Sequence, residues 1–324
     1  MAVKLLIISN LDAASIFRRG SLNRALAIGL RTSRIEWSIY NPSPVLPDLS
    51  SVDVVLTWCH HLTGNSRAIR RRVMEVEDAC RRLAIPVVNS ARNLRRICHS
   101  FCLRRWLQYG IPCALSQSFD TVEEISLRYP MILRVDGGVH SSLDSFLVHD
   151  RNEAAQIVKE RERSARGRLN LAIEYIPTRF PDGYYRKRRC IAIGDRVIPR
   201  QHMVSQVWKV KLSSAEANAL SVAEDRAFIG EGESQADLVG RAARALGCDI
   251  LAVDYSPTPD GNYVFWEANR SFRMAGPGNG VKAAKFREAT GRSVQECIEE
   301  RNAVGAAIVE LILRKAESRL SIPQ

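Results

Sequence analysis

Strand-like and helix-like patterns alternate along the first ninety residues, and this alternation restricts the possible folds more than any other feature of the sequence. A helix that joins two neighbouring strands favours a doubly wound parallel sheet. We therefore predict an N-terminal α/β domain over residues 1–90. Its strands are expected at 3–8, 35–40, 52–57 and 85–88, and its helices at 15–31 and 66–83.

The pattern changes beyond residue 90. A helix predicted over 91–109 ends at Gly110, and Pro112 follows as a stop signal. The later strand-like pieces are joined by hairpin turns, so we expect antiparallel sheets in an α+β domain over 91–324. These strands are predicted near 131–135, 145–148, 171–176, 189–200 and 249–269, with helices at 152–163, 234–246 and much of 281–318.

The segment 249–272 holds the most informative motif, two strand-like runs that flank Asp260-Gly261. This dipeptide is a strong hairpin signal. A two-residue loop and a four-residue loop centred on it give the same register, in which Thr258 pairs with Tyr263. The register of every other pair along the two strands follows from that turn.

In this register Asp254 lies directly opposite Glu267, and Asn269 projects from the same face. Opposed side chains lie about 4.5–5.5 Å apart at Cβ, so the two carboxylates should repel each other. Phe265 is expected on the same face, where burial would increase the cost. A divalent cation removes the difficulty, and two carboxylates with an amide suit Mg²⁺. The alternatives are a solvated pair on an exposed face, or one protonated carboxyl group.

Residues 188–200 form a second predicted hairpin, which turns at Gly194-Asp195. A two-residue turn places Arg189 opposite Arg200. Facing guanidinium groups are unfavourable unless an anion lies between them, and a polyphosphate fits because guanidinium groups chelate phosphate oxygens. The alternative is an exposed basic face that water screens. An acidic face and an arginine face in one domain together favour a site for a metal-bound nucleotide.

Charge and cysteine usage restrict the class of protein. The net charge of the 324-residue chain is +12, and an arginine-rich run over 67–105 is interleaved with acidic residues and lacks a series of aromatic residues. We interpret this run as solvated helix faces and do not expect nucleic acid as a partner. The eight cysteines form no C-x-x-C pair, which favours reduced thiols over disulfides or a zinc site.

No membrane segment is expected. The apolar run at 3–8 is short for a signal peptide, and the apolar segment 303–313 contains Glu310. A membrane span needs roughly 20 consecutive apolar residues. We therefore expect a cytoplasmic protein.

Several segments, taken in order, resemble the ATP-grasp superfamily, and most nearly its RimK-like carboxylate–amine ligases. Single pieces are weak, but an Asp thirteen residues before the Glu of E-x-N, within the ordered set, is fairly specific. The resemblance implies a pre-ATP-grasp domain and then an ATP-grasp fold whose antiparallel sheets hold a nucleotide, with 112–176 as the smaller covering lobe. The matching segments are IPVVNS (85–90), GIPCA (110–114), PMILR (130–134), AIEYI (172–176), RRCIAIGDRVI (188–198), VDYS (253–256) and WEAN (266–269).

The resemblance also implies cofactors and residue roles. ATP is expected with Mg²⁺, for which Mn²⁺ is a possible substitute, and Asp254, Glu267 and Asn269 match the metal-binding positions. Arg189 matches a basic residue near substrate and phosphates, and with Arg200 it is expected to stabilise the transferring phosphoryl group. The residues expected to bind the nucleotide are Arg134, Gly137, Gly138, Glu174, Tyr175, Ile176, Lys187 and Lys211.

The implied reaction is the attack of a carboxylate on the γ-phosphate of ATP, after which an amine displaces phosphate from the acyl phosphate. The expected partners are a small-molecule or peptide carboxylate and an amine acceptor, and a homo-oligomer is possible. Two departures keep a second function open, that of a nucleotide-binding protein with lost or regulatory activity. A family lysine is replaced by His99 or Ser100, and RSFRM follows E-x-N. Trp208 and Trp266 are expected to be packing residues.

Overall fold

The computed structural model describes residues 2–10, 21–59, 67–136, 145–162, 168–230, 232, 234–270, 272, 274, 276, 278 and 280–320. The N-terminal part contains a four-stranded parallel sheet with the strand order β2-β1-β3-β4. Its strands are β1 (Val3–Ile8), β2 (Ile35–Tyr40), β3 (Val54–Thr57) and β4 (Val87–Val88).

Two helices cover opposite faces of this sheet. The first, α1 (Ser21–Arg31), packs its leucines against Leu5 and Ile7 of β1. The second, α2 (Arg67–Arg82), packs Val73 and Val76 in the cluster that contains Leu6 and Ile8. Alternate β1 residues point to opposite faces, so the doubly wound arrangement expected from the sequence is confirmed.

The helix expected over 91–109 is interrupted. It forms α3 (Ala91–Leu94) and α4 (His99–Gln108), and Cys98 between them has an extended backbone, with φ −142° and ψ 172°. This break places His99 and Ser100 at the N-terminus of α4.

A small antiparallel sheet follows, with the order β5-β8-β6-β7. Helix α5 (Arg151–Glu162) packs on it, and a 3-10 turn covers Val122–Glu124. The buried residues of this lobe form a hydrophobic cluster of their own. The strands are β5 (Ser116–Ser118), β6 (Met131–Arg134), β7 (Ser145–Val148) and β8 (Leu171–Glu174).

The larger antiparallel sheet has the order β10-β9-β11-β12. Helices α6 (Ala219–Gly230) and α7 (Ala236–Ala245) lie between β10 and β11 in the chain, and α6 was not predicted from the sequence. The strands are β9 (Tyr185–Ile193), β10 (Arg196–Ser205), β11 (Ile250–Pro257) and β12 (Tyr263–Asn269).

The chain continues with α8 (Val281–Thr290) and α9 (Val294–Leu320), which Gly291 separates with a positive φ of 64°. Buried residues of α9 share one cluster with α1, with the parallel sheet and with β9. Packing is continuous across residue 90, so the structure does not test the predicted domain limits. They stay predictions: 1–90, 91–324 and, for the smaller lobe, 112–176. None of the described helices combines the length and apolarity needed to cross a membrane.

Two acidic residues within the arginine-rich run, Glu75 and Asp78, pair with basic neighbours. Asp78 accepts hydrogen bonds from Arg81 (2.8 Å) and from Arg92, and Glu75 pairs with Arg72. All eight cysteines carry free thiols.

Candidate functional site

The β11–β12 hairpin brings two carboxylates together, although its turn differs from the predicted one. Asp254 pairs with Glu267, as expected, but Tyr263 pairs with Pro257 instead of Thr258. Three residues, 259–261, form the loop, and Gly261 adopts a positive φ of 82°. The predicted register near the turn is therefore wrong by one residue.

A β-bulge restores the predicted pairing further along the strands. The register shifts between Asp254 and Tyr255, so Trp266 is an extra residue on β12. A bulge re-aims the side chains on either side of it. Phe265 therefore stacks on Tyr255, with ring centroids 5.1 Å apart, and does not share the face of Asp254 as predicted.

The β9–β10 hairpin also contains a bulge, and here the predicted pairing is wrong. Arg189 pairs with Gln201 instead of Arg200, because the register shifts between Pro199 and Gln201. Proline has no backbone N–H for the ladder, and a bulge is a usual way to accommodate it. On its other side, Arg189 pairs with Asp254 of β11. A carboxylate, rather than a second guanidinium group, is thus its neighbour.

Arg200 lies in a buried network away from the paired carboxylates. Its side chain is 1% exposed, its Nη1 donates to Glu300 at 2.8 Å, and its guanidinium lies 4.4 Å from the centroid of the Phe286 ring. Burial lowers the pKa of Arg200, although Glu300 opposes this shift. Arg200 is absent from the described lining of the cavity at Asp254, and we do not propose it as a site residue.

A cavity of about 420 Å³ lies between the small sheet and the larger one. It includes most of the site residues expected from the sequence. Glu174 is outside its described lining, and its carboxylate accepts a hydrogen bond from the Leu115 backbone at 3.1 Å. Gly137 and Gly138 lie outside the described residues. The predicted residues that line the cavity are Arg134, Tyr175, Ile176, Lys187, Lys211, Asp254, Glu267 and Asn269.

Basic side chains hold the Asp254 carboxylate. Arg189 Nη2 donates to Asp254 Oδ2 at 2.7 Å and its Nε donates to the other oxygen, while Lys187 Nζ lies 3.1 Å from Oδ2. The Asp254 side chain is only 1% exposed, so an isolated charge there would be costly. The two cations offset that cost.

The Glu267 carboxylate has different partners. His99 Nε2 donates to Glu267 Oε2 at 2.8 Å, and Asn269 Nδ2 donates to Oε1 at 3.2 Å. Burial raises the pKa of Glu267, but His99, Lys187 and Arg134 outweigh it and hold that pKa well below its usual value. Glu267 is therefore ionised at neutral pH.

The residues at this site fit a hard cation by their donor chemistry. Asp254, Glu267 and Asn269 offer two carboxylates and an amide on one wall of the cavity. Among the described residues, no group of three or more His, Cys, Asp and Glu side chains is arranged to hold a metal. A bound Mg²⁺ would therefore also need the Asn269 amide and oxygens from a ligand, which is usual for this ion.

Several lining residues were given other roles or none in the sequence analysis. Trp208 lies edge-on to Tyr175, with centroids 6.4 Å apart, and Lys209 Nζ lies 5.2 Å from the Trp208 ring. Trp266 packs in the sheet as expected, yet it also lines the cavity. His99 reaches Glu267 because of the break before α4, which periodicity did not reveal. Lys209 lines the cavity together with Lys211, and basic and apolar residues alternate in this segment, WKVK (208–211).

The solved proteins that are similar to this chain in structure include the following three. With a RimK-domain ATP-grasp protein from Sphaerobacter thermophilus it shares 18% identity over 96% of this chain and 100% of that one, at a TM-score of 0.55. With the ATP-grasp ligase PsnB, solved with precursor peptide PsnA2 and AMPPNP, it shares 15% identity over 97% of this chain and 98% of that one, at a TM-score of 0.57. With the D-alanine–D-alanine ligase from Coxiella burnetii it shares 13% identity over 98% of this chain and 97% of that one, at a TM-score of 0.51.

No protein-family model and no curated protein matches the chain. The structural similarity extends over almost the whole of each chain, so the chain has the ATP-grasp fold. The resemblance identified in the sequence is thereby confirmed at the level of the fold.

Proposed function

We propose that this protein is an ATP- and Mg²⁺-dependent ligase that activates a carboxylate as an acyl phosphate and joins it to an amine. One observation carries the proposal. A single cavity combines an acidic wall, Asp254 and Glu267, with basic side chains and an apolar, aromatic end. A metal-bound nucleotide needs these three surfaces, for its metal, its phosphates and its base.

The lining residues suggest how a nucleotide would be held. Tyr175, Ile176 and Trp208 form the apolar end and suit the adenine ring. The phosphates would lie among the cationic side chains, since charged hydrogen bonds to phosphate are among the stronger polar contacts in proteins. The lysine and arginine residues that line the cavity are Arg134, Lys187, Lys209, Lys211 and Arg270.

In the proposed reaction, a carboxylate oxygen attacks the γ-phosphorus and ADP leaves. An amine then attacks the acyl carbon and displaces phosphate. The chain's contribution is to position the reactants and to stabilise charge, with no covalent nucleophile. Lys187 and Arg189 are placed to balance negative charge beside Asp254. When bound by Asp254, Glu267 and Asn269, Mg²⁺ supplies further charge neutralisation at the phosphates.

The substrate class is proposed by analogy. Two of the similar structures are named as ligases, one for D-alanine and one solved with a precursor peptide. We infer that the carboxylate comes from an amino acid, another small molecule or a peptide, and that the acceptor is an amine. The fold alone does not select among these.

A second candidate is a nucleotide-binding protein without turnover. It is favoured by the replacement of a family lysine by His99 or Ser100, and His99 is engaged with Glu267. It is also favoured by Arg189 and Lys187, which contact both oxygens of Asp254. Tight binding of Mg-ATP without hydrolysis across a broad panel of substrates would support it.

The test is phosphate release from Mg-ATP with pooled amino acids and peptides, for the native protein and for Glu267→Gln. The substitution keeps the size of the side chain and removes the charge that a metal needs. We expect turnover to fall by at least about a hundredfold, on the scale of losing a preorganised electrostatic group. Circular dichroism should show an unchanged fold.

Glu288→Gln on α8 is the matched control, because Glu288 is exposed and lies outside the described lining of the cavity. It should leave turnover unchanged. Full activity in Glu267→Gln would remove the metal site, and binding of Mg-ATP with no phosphate release for any pool would favour the second candidate.

A further inference from the structure

Side chains of β9 engage both oxygens of the Asp254 carboxylate. Arg189 donates to it twice, from Nη2 to Oδ2 at 2.7 Å and from Nε to Oδ1, and Lys187 Nζ donates to Oδ2 at 3.1 Å. A carboxylate oxygen accepts about two hydrogen bonds. While both basic side chains are in place, Oδ2 therefore offers no further lone pair to a metal ion.

The second carboxylate of the acidic wall, Glu267, is engaged less completely. Among the described residues, its Oε2 accepts one hydrogen bond, from His99 at 2.8 Å, and its Oε1 accepts one, from Asn269 at 3.2 Å. Each oxygen thus keeps a lone pair that can bind a metal. The wall combines one carboxylate that is ready for a cation with one that basic side chains hold.

Lys187 is the partner of Asp254 that can leave. Arg189 lies directly opposite Asp254 in the ladder between β9 and β11 and holds both of its oxygens with a rigid fork. Lys187 makes a single contact, through a flexible four-carbon stem. Its side chain is 18% exposed and lines the cavity. Lys187 can therefore turn from Asp254 toward a ligand without any change in the backbone.

The cost of moving Lys187 depends on what arrives in the cavity. A metal ion that binds Asp254 by itself must displace a partly buried ammonium group from its carboxylate, and separating such a pair is unfavourable. A nucleotide that binds with the metal offsets this cost, because its phosphate oxygens accept hydrogen bonds from the displaced ammonium group. Lys187 then exchanges one anionic partner for another.

We propose that Lys187 couples the binding of metal and nucleotide: it binds Asp254 when no ligand is present and moves to the phosphates when the two ligands bind together. The protein without nucleotide then binds a divalent ion weakly. Each ligand strengthens the binding of the other, since coupling free energies are reciprocal. This inference rests on the proposed function for the identity of the ligand, a metal-bound nucleotide, but it does not depend on turnover.

Mn²⁺ is the probe for the metal, and electron paramagnetic resonance of the free ion measures its binding to the full chain. Lys187→Met removes the ammonium group and keeps an unbranched side chain. Without nucleotide, this variant should bind Mn²⁺ at least about fivefold more tightly than the native protein does, at the lower end of usual coupling free energies.

The same variant should bind the nucleotide less tightly. Isothermal titration calorimetry at saturating Mn²⁺ should show that Lys187→Met raises the Kd for AMPPNP at least about fivefold, because a charge-assisted contact to phosphate is lost. The two changes have opposite signs, whereas a purely structural role of Lys187 would weaken both ligands. Lys187→Gln, a second neutral variant that guards against misfolding of Lys187→Met, should show the same two changes.

Two further variants are the controls for charge. Lys187→Arg keeps a cation beside Asp254 and should bind Mn²⁺ as weakly as the native protein does. Lys282 is an exposed lysine on α8, outside the described lining of the cavity. Lys282→Met therefore tests the loss of one positive charge from the molecule as a whole, and it should leave Mn²⁺ binding unchanged.

Asp254→Asn shows where the metal gains affinity. Combined with Lys187→Met, it should abolish the tighter binding of Mn²⁺, because the two side chains act through one contact. The proposal is overturned if neither neutral variant at Lys187 binds Mn²⁺ more tightly, if the gain survives Asp254→Asn, or if Lys282→Met shows the same gain.

The proposed function can fail separately from this inference. If the native protein shows no binding of AMPPNP, both are overturned. If Mn²⁺ and AMPPNP bind with the expected dependence on Lys187 but no phosphate is released from Mg-ATP, the coupling is supported and only the ligase activity is contradicted. If phosphate is released but Lys187→Met leaves Mn²⁺ binding unchanged, the ligase stands and the coupling does not.

Discussion

Two buried carboxylates, Glu77 and Asp254, are equally hidden from water but have different partners. Glu77 is 3% exposed and accepts hydrogen bonds from the hydroxyls of Thr57 and Ser90 and from the Ala91 backbone. These short, fixed donors join β3, α2 and α3. Asp254 is held instead by the long side chains of Lys187 and Arg189 beside a cavity. Long side chains can move away from a carboxylate without any change in the backbone, and such partners are typical of a ligand site. Asp254 has partners of this kind, whereas Glu77 does not.

The acid stability of the protein should depend on Glu224. Burial raises its pKa, but hydrogen bonds from His202 and Arg186 outweigh this effect and bring the pKa to about 2 in the folded state, below the ordinary value of 4.5. The unfolded chain therefore takes up this proton first as pH falls. The stabilisation is complete above about pH 4.5 and is lost between about pH 4.5 and 2, amounting to about 2 kcal/mol between pH 6 and pH 3.

Glu224→Gln should remove this dependence. The free energy of unfolding is measured with urea at pH 6 and at pH 3. Its decrease from pH 6 to pH 3 should be smaller in the variant than in the native protein by about 2 kcal/mol. Glu288→Gln, at an exposed position, should behave like the native protein. An equal decrease in the free energy of unfolding for all three proteins would mean that Glu224 has its ordinary pKa in the folded state.

At the scale of the elements, the hairpins show what the sequence could predict. The dipeptide Asp260-Gly261 correctly predicted a turn, and the charge pattern correctly predicted the facing carboxylates. The loop, however, has three residues, which shifts the register by one residue, and the bulge at Trp266 shifts it back. The correct pairing of Asp254 with Glu267 thus resulted from two offsetting departures. Bulges depend on packing on both faces, which the order of residues in one strand does not encode.

The second hairpin lacked such compensation. Its turn was placed correctly, with Ile193 paired to Arg196, and the error entered only at Pro199, where a missing N–H signals an interrupted ladder. The break before α4 was equally hidden, since Cys98 lies within a continuous helix-like pattern. That break is the reason that His99, and not a residue one turn away, reaches Glu267.

Helices α1 and α9 cross at two glycines that leave no room for a side chain. A Cβ on Gly305 would lie 2.2 Å from the Ala25 carbonyl oxygen, and a Cβ on Gly29 would lie 2.5 Å from the Gly305 oxygen. Backbone atoms cannot yield as a flexible side chain can. Gly305→Ala should therefore destabilise the protein by roughly 1–3 kcal/mol through overpacking.

Gly230→Ala is the matched control for that substitution. Gly230 is the last residue of α6, and among the described residues beyond its chain neighbours no atom would lie within 4 Å of a Cβ there. Because alanine favours helix over glycine, this variant should be neutral or stabilised by up to about 1 kcal/mol. Chemical denaturation measures both variants, and equal stabilities would show that the helix crossing relaxes without cost.

At the scale of the whole molecule, the N-terminal parallel sheet and the larger antiparallel sheet are packed as one unit. Asn89, at a positive φ of 56°, accepts hydrogen bonds from the backbone of Asp249 and Ile250 at 2.9 and 2.7 Å. Helix α9 adds apolar contacts to both parts. The small lobe, by contrast, has a hydrophobic cluster of its own. The candidate site thus lies between a large unit and a lobe with a separate core.

A nucleotide in this cavity should therefore stabilise the protein by contacting both units. Ligand binding to the folded state adds RT ln(1 + [L]/Kd), about 2.7 kcal/mol at a hundredfold excess over Kd. For a chain of this size we expect Mg-AMPPNP to raise the Tm by about 5 °C. Differential scanning fluorimetry measures the shift.

Three variants distinguish a nucleotide that contacts both units from one that contacts only one of them. Arg134→Met removes a cation of the small lobe, and Glu267→Gln removes an acid of the larger sheet, so each should reduce the Tm shift. Arg188→Met, at a residue outside the described lining of the cavity, should leave it intact. If the shift survives in both Arg134→Met and Glu267→Gln, the nucleotide binds elsewhere. If only Arg134→Met reduces it, the acidic wall contributes nothing to nucleotide binding, and its two facing carboxylates must be explained by their basic neighbours alone.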